Sequence, residues 1–86
     1  MRIVYSDAFL KSVAKLPLAN QKKLDALLSL CAENPFHPSL HTKRLVGSLH
    51  GFLSFRITRD WRVLFQFINA ETVQLLRVAH RKDVYR

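Results

Sequence analysis

The sequence predicts an α+β domain of order β-α-α-β-β-β, with a helical hairpin packed on one face of a mainly antiparallel sheet. Three observations support this fold class. Apolar residues in the first third of the chain recur with helical spacing, whereas those after Gly51 alternate with polar ones as in strands. Short turn-forming segments join these stretches. With 86 residues, of which 49% are hydrophobic, the chain can form one core, so we expect a single domain over residues 1–86.

Two helices are predicted after a short β-prone run at residues 2–5. Ser6 and Asp7 are suited to cap the first helix, and Pro17 ends it. An Asn-Pro pair at 34–35 ends the second. The apolar stripes that define the two helices are Phe9, Val13 and Leu16, and Leu24, Leu27, Leu28 and Cys31. Two helices joined by so few residues form a hairpin.

Three strands are predicted after a proline-containing loop at residues 34–43. They lie within residues 52–58, 61–68 and 72–79, and turn residues separate them. Alternation places Trp61, Val63, Phe65 and Phe67 on the face that meets the helices. The opposite face is then left to Arg56, Thr58, Arg62 and Gln66. We expect the core strands to end near Ala79, so that residues 80–86 are not needed for folding.

Basic residues are concentrated in the second half of the chain. The net charge is +8, and residues 43–86 hold nine of the fourteen Lys and Arg but only three of the six Asp and Glu. Such a basic face attracts a polyanion, either a nucleic acid or an acidic protein. No stretch approaches the roughly 18 apolar residues of a spanning helix, and the first residues do not resemble a signal peptide. A cytoplasmic protein that does not bind membranes is expected.

Several kinds of catalytic site are disfavoured. His37 and His41 have an HxxxH spacing, but Pro38 lies between them and Cys31 is the single cysteine, so no metal site is predicted. There is no G-x-S-x-G motif and no glycine-rich phosphate loop, and the six acidic residues are scattered. Nothing in the sequence predicts a cofactor.

Arginine and histidine remain as the residues that could carry chemistry. Arg56 and Arg62 fall on neighbouring strands, where they either bind phosphate in a bidentate manner or only solvate an open face. His80 is expected at the end of the last strand, close to the same face, and imidazole suits proton transfer near neutral pH. Tyr85 offers a ring on which a base can stack. These groups suit RNA cleavage, because the ribose 2′-hydroxyl is then the nucleophile and no metal is required.

The chain resembles the RelE/ParE superfamily of type II toxins over nearly its whole length. Four segments carry the resemblance, and they occur in family order. They are a Lys/Arg-Leu-x-Gly segment within "KRLVGSLHGFLSFRI", the Arg-Ile pair at its end, the aromatic-Arg-Val run of "DWRVLFQF", and the His-Arg and Val-Tyr pairs of "AHRKDVYR". Each segment alone is a weak signal, but four in register are a strong one.

The resemblance implies an mRNA interferase, an endoribonuclease that cuts mRNA in the ribosomal A site and so inhibits translation and growth. It also implies a cognate acidic antitoxin that neutralises the toxin in a hetero-oligomer. ParE-type members share the fold but poison DNA gyrase and lack the nuclease residues. His80 and Tyr85 together with Arg62 favour the nuclease branch. A catalytically inactive module that binds an antitoxin or nucleic acid is a third reading.

The family pattern also implies which residues form the site. The implied catalytic residues are Arg56, Arg62, His80, Arg81 and Tyr85. Apart from the family pattern, the basic residues Lys43, Arg44, Arg59, Lys82 and Arg86 are expected to bind RNA. Two departures leave the general base unassigned. Thr58 stands where RelE has the second of two lysines, and this strand has no acid where YoeB-like members have a glutamate. Codon preference, ribosome dependence and oligomeric state stay open.

Overall fold

The computed structural model describes residues 1–84 as two helices packed on one face of a five-stranded sheet, which confirms the predicted α+β class. The helices are α1 (Asp7–Ala14) and α2 (Leu18–Glu33). The strands are β1 (Arg2–Tyr5), β2 (Lys43–Arg44), β3 (Leu53–Arg56), β4 (Trp61–Asn69) and β5 (Thr72–His80). Neither of the described helices is long and apolar enough to cross a membrane.

The strands lie in the order β1-β5-β4-β3-β2, and only β1 and β5 form a parallel pair among the described neighbours. The first and last strands are therefore adjacent at one edge of the sheet. Strand β2 forms the other edge. Its two residues are Lys43, the last residue of the predicted loop, and Arg44, which follows it. A strand of two residues is too short to show an alternating pattern, so sequence periodicity could not reveal it.

Helix α1 begins where the sequence predicts, and its first turn is bonded to the sheet. The Oγ atom of Ser6 accepts a hydrogen bond from the backbone N–H of Phe9 at 3.0 Å and donates one to the carbonyl of Leu76 at 3.0 Å. Further along, the Oγ atom of Ser12 accepts a hydrogen bond from the N–H of Val78 at 2.8 Å. These two serines hold α1 against β5 and satisfy helix-end and strand groups that would otherwise be buried without partners.

The main core lies between the helices and the sheet. Of the second predicted stripe, Leu24, Leu27 and Cys31 are buried and Leu28 is partly buried, as its helical spacing requires. The buried side chains that complete this core from α1, the loops and the strands are Phe9, Leu16, Leu40, Leu53, Phe55, Ile57, Val63, Phe65, Val73, Leu75 and Val78. We call this side of the sheet the helix face.

A second, smaller apolar cluster covers part of the opposite side of the sheet. It consists of Leu45, Leu64, Ala79 and Val84, and Val84 has no exposed surface. The chain therefore folds back over the sheet after β5 ends. This corrects the expectation that residues after Ala79 are not needed for folding, because removing residues 80–86 would expose the cluster to water.

Strand β3 is shorter than its alternating sequence suggests. It ends at Arg56, and Thr58 lies in the turn that leads to β4. The Oγ1 atom of Thr58 accepts hydrogen bonds from the N–H groups of Asp60 and Trp61, each at 3.3 Å. Threonine hydroxyls that bond to nearby backbone in this way favour turns over strands. Thr58 is therefore not part of the open face, contrary to the sequence prediction.

Truncation of Leu27 should test the helix stripe. Its side chain is 7% exposed and belongs to the main core, so we expect Leu27→Ala to lower the free energy of unfolding by roughly 2–5 kcal/mol. Leu18→Ala is the matched control, since Leu18 lies on the same helix and is 67% exposed. Thermal or urea unfolding measures both. Equal effects of the two substitutions would show that the buried face of α2 is misassigned.

Cys31 should be nearly unreactive in the folded protein. Its side chain is fully buried, and this burial raises the pKa of the thiol from 9.0 to about 11. Because the thiolate is the reactive form, a rise of this size lowers alkylation at pH 8 by about 10²-fold, before any loss of access is counted. Iodoacetamide labelling followed by mass spectrometry, in buffer and in urea, measures this difference. Similar rates in both solvents would contradict the buried position of Cys31.

Candidate functional site

Two arginines face each other on the side of the sheet opposite the helices. Arg56, the last residue of β3, is the direct cross-strand partner of Arg62 near the start of β4. Directly paired residues project from the same face, so the alternation correctly predicted that these two share one. We call this surface the arginine face and these two residues the arginine pair.

The arginine pair lacks a negatively charged partner within residues 1–84. Both side chains are partly buried, and the Nε atom of each is buried without a hydrogen-bond partner. A nearby ion pair joins Arg81 to Asp60, at 3.9 Å, and both of its side chains are largely exposed. Like charges directly opposite each other destabilise a sheet, and buried donors without acceptors add to that cost. An anion bound between the two guanidinium groups would relieve both effects.

His80 lies on the other side of the sheet from the arginine pair. It is the cross-strand partner of Trp61, which packs against the main core, and the two rings meet edge to face at 5.6 Å between centroids. The expectation that His80 lies close to the face of Arg56 and Arg62 is therefore wrong. All three nevertheless lie at the same end of the sheet, where β3 and β5 end and β4 begins.

The imidazole of His80 is held by the turn that follows β5. Its Nδ1 atom accepts a hydrogen bond from the backbone N–H of Lys82 at 3.2 Å. In this arrangement the neutral ring carries its proton on Nε2. A ring that gives its Nε2 proton to a substrate must carry a second proton on Nδ1, in place of the bond from Lys82.

Arg81 is placed beside the β3–β4 turn. Its backbone N–H donates to the carbonyl of Asp60 at 2.7 Å, and its guanidinium forms the ion pair with the same residue. The ion pair is exposed, so it contributes little to stability and leaves the guanidinium accessible. The backbone bond joins the end of β5 to the turn between Arg56 and Arg62.

The residues expected to bind RNA are distributed over both sides of the sheet. Lys43 pairs with Ser54 and lies on the arginine face, whereas Arg44 pairs with Leu53 and lies on the helix side, 5.1 Å from the centre of the Phe36 ring. Arg59 and Lys82 are exposed in turns. Tyr85 and Arg86 lie outside the described residues.

One arginine on the arginine face was not singled out from the sequence. Arg77 pairs with Leu64, and its Nη2 atom donates hydrogen bonds to the carbonyls of Asp83 at 3.0 Å and Val84 at 2.9 Å. Strict alternation from Gln74 would place it on the helix face. A bulge at Leu76 reverses the alternation, and the sequence contains no clear signal for that bulge.

The family of the chain follows from a comparison with family models. The model described as the ParE toxin of the type II toxin-antitoxin system, parDE, matches residues 3–85. The protein therefore belongs to this family. It is a toxin of the type II toxin-antitoxin class within the RelE/ParE superfamily, as the sequence resemblance indicated. Among curated proteins, none matches the sequence.

Solved structures with the same fold include both free toxins and complexes. A YoeB/ParE toxin from Agrobacterium tumefaciens has a TM-score of 0.79 at 16% identity, covering 94% of this chain and 99% of that one. YafQ from E. coli strain BL21(DE3) has a TM-score of 0.76 at 22% identity over 100% of both chains. The RelB-RelE antitoxin-toxin complex from Methanococcus jannaschii has a TM-score of 0.75 at 20% identity, covering 95% of this chain and 94% of that one. At these identities the likeness shows the fold.

Proposed function

We propose that this toxin is an endoribonuclease that cleaves mRNA on the ribosome and so inhibits translation. The arginine pair is the observation that carries the proposal. Two arginines directly opposite each other on neighbouring strands, each with a buried Nε atom that lacks a partner, would form a site for a phosphate that bridges their guanidinium groups. An arginine fork matches phosphate oxygens in geometry and charge, and it stabilises the further charge that develops there during transfer.

The cleavage would proceed by attack of the ribose 2′-oxygen on the adjacent phosphorus. The bond from phosphorus to the 5′-oxygen breaks, and the products carry a 2′,3′-cyclic phosphate and a 5′-hydroxyl. Arg56 and Arg62 would hold the phosphate and neutralise the charge on its oxygens. Protonated His80 would give its Nε2 proton to the leaving 5′-oxygen, and the proton of the 2′-hydroxyl would pass to water.

The remaining predicted residues would bind the RNA around this phosphate. Arg81 lies at the same end of the sheet as the arginine pair, and its exposed guanidinium could contact the next phosphate. Lys43 shares the arginine face, and Arg59 and Lys82 are exposed near the same end. Tyr85 would supply the stacking ring for a base. Since His80 and the arginine pair project from opposite sides of the sheet, the scissile phosphate would lie at the end of β4 and β5, where the long arginine side chains and the imidazole could both reach it.

We further propose that a cognate acidic antitoxin binds the basic surface and forms a hetero-oligomer with the toxin. The net charge of +8 and the unpaired arginine pair support a partner of opposite charge. The solved structures of similar fold include a RelB-RelE antitoxin-toxin complex. Expression of the chain alone should arrest growth, and co-expression of a small acidic protein from the neighbouring reading frame should restore it.

A gyrase inhibitor is the second candidate, because the matching family model carries the ParE name. A toxin of this type needs a binding surface but no catalytic arrangement. It could use the arginine pair to bind an acidic partner surface, but it would give no reason for a histidine at the same end of the sheet.

Cleavage of defined mRNA on programmed ribosomes distinguishes the two candidates. The cut site is first mapped, and a matched mRNA is then made with a single 2′-deoxynucleotide on the 5′ side of the scissile phosphate. We expect the natural mRNA to give a 2′,3′-cyclic phosphate end and the deoxy mRNA to remain uncut. Inhibition of DNA supercoiling by gyrase, without any RNA cleavage, would instead favour the ParE-type activity.

A further inference from the structure

Arg77 differs from the arginine pair in what its guanidinium binds, although all three residues lie on the arginine face. The Nη2 atom of Arg77 donates to two consecutive carbonyls, those of Asp83 and Val84, at 3.0 and 2.9 Å. The buried Nε atoms of Arg56 and Arg62 have no partner. The chain itself therefore engages Arg77, whereas the Nε donors of the arginine pair are not used by residues 1–84.

Val84 holds the same segment by apolar contact. It has no exposed surface and packs with Leu45, Leu64 and Ala79 in the second cluster. The guanidinium of Arg77 binds the backbone carbonyls of residues 83 and 84, and the side chain of Val84 packs into the second cluster. The last described residues are thus anchored by two different kinds of interaction on the arginine face.

The anchor closes a turn that begins at the end of β5. The N–H groups of Asp83 and Val84 donate to the carbonyl of His80 at 2.8 and 3.0 Å, so the turn spans residues 80–84. The sheet holds one end of this turn, and the anchor holds the other. Arg81 lies between them and is bonded to the β3–β4 turn through the carbonyl of Asp60.

We propose that Arg77 is a positioning residue that, together with Val84, holds the turn 80–84 in the geometry in which His80 and Arg81 meet the bound RNA. The inference rests on the proposed function, because it assigns this role within RNA cleavage. Arg77 does not bind phosphate in this assignment. Its contribution is to fix groups that do, and a displacement of such groups by about 1 Å can slow a reaction by about 10²-fold.

The substitution Arg77→Met removes the donors and keeps an apolar side chain of similar length. We expect its single-turnover cleavage rate on programmed ribosomes to fall by about 10²-fold. Its affinity for a short 2′-O-methyl RNA, which cannot be cleaved, should fall by much less than the cleavage rate, and the dependence of that affinity on salt should change little, because Arg77 itself contacts no phosphate. In Arg62→Met, both the affinity and the salt dependence should fall, because a phosphate contact is lost.

Two further variants separate anchoring from charge. Arg77→Lys keeps the charge but loses the guanidinium that reaches both carbonyls, so its cleavage rate should stay low. Val84→Ala leaves every charge in place and loosens the same anchor, so it should also cleave slowly. Lys23→Met is the control for loss of one positive charge, since Lys23 is exposed on α2 away from the sheet.

Hydrogen exchange tests the anchor without RNA. The amides of Asp83 and Val84 should exchange faster in Arg77→Met than in the wild-type protein, and trypsin should cut more readily after Arg81. Amides of the main core should keep their protection. Unchanged exchange at residues 83 and 84 would overturn the inference, and so would a wild-type cleavage rate in Arg77→Lys.

Failure of the inference can be told apart from failure of the proposed function. If the wild-type protein cleaves no RNA, the proposed function is wrong, and hydrogen exchange still decides whether Arg77 anchors the turn. Growth arrest then decides whether the anchored turn matters. Full toxicity of Arg77→Met would overturn the positioning role of Arg77. Loss of toxicity in a folded Arg77→Met variant would show that Arg77 positions the turn 80–84 for a target other than RNA.

Discussion

The substitution His80→Ala should slow single-turnover cleavage on programmed ribosomes by on the order of 10²–10⁴-fold. The reason is that the leaving 5′-oxygen would then have to depart without a proton from the imidazole. His80 lies at the end of β5, so the substitution removes the ring contact with Trp61 and the hydrogen bond from the Lys82 N–H, but no member of the main core. We therefore expect a folded protein with a melting temperature close to that of the wild type.

A second substitution at this position separates proton transfer from hydrogen bonding. His80→Gln retains an N–H donor but cannot transfer a proton at neutral pH, so it should cleave as slowly as His80→Ala. A nearly wild-type rate for His80→Gln would show that the neutral Nε2–H group only donates a hydrogen bond, as the bond from Lys82 to Nδ1 allows. His50→Ala is the control, because His50 is exposed in a loop.

Arg62→Ala should lower the cleavage rate by about 10²–10³-fold, the range found when one preorganised donor to a charged transition state is removed. The same substitution should leave the folded state as stable as the wild type or more stable. It removes a positive charge directly opposite Arg56 and a buried Nε atom without a partner. A loss of activity combined with an unchanged or raised melting temperature is the signature of a ligand site rather than a structural residue.

Controls for Arg62 must separate the position from the charge. Arg62→Lys keeps the charge but not the bidentate geometry, so it should recover only part of the lost rate. Lys15→Ala removes a charge from the end of α1, far along the chain from the arginine pair, and should cleave like the wild type. Wild-type rates in both His80→Ala and Arg62→Ala would show that the site is wrongly assigned. A ParE-type binding role would then be the better account.

The local pattern of the sequence determined most of the fold. The Ser6 cap, the helical spacing of Leu24, Leu27 and Cys31, and the alternation in β4 and in β3 as far as Arg56 are all read over a few residues, and each was confirmed. The same alternation places Arg56 and Arg62 on one face. Local signals of this kind suffice because helix and strand geometry repeats at a fixed period. The core of the candidate site therefore follows from the sequence.

Only the tertiary structure decided where the C-terminal residues lie. Strict alternation from Gln74 would place His80 on the arginine face and Arg77 on the helix face, but the extra residue at Leu76 exchanges the two. Val84 is buried because the chain folds back onto Leu45 and Leu64, which are distant from it in sequence. Neither a bulge nor a contact between residues distant in sequence produces a periodic pattern of apolar residues, so the sequence contains no local sign of either. They decide which side of the sheet each chemical group faces, and the sequence by itself could not.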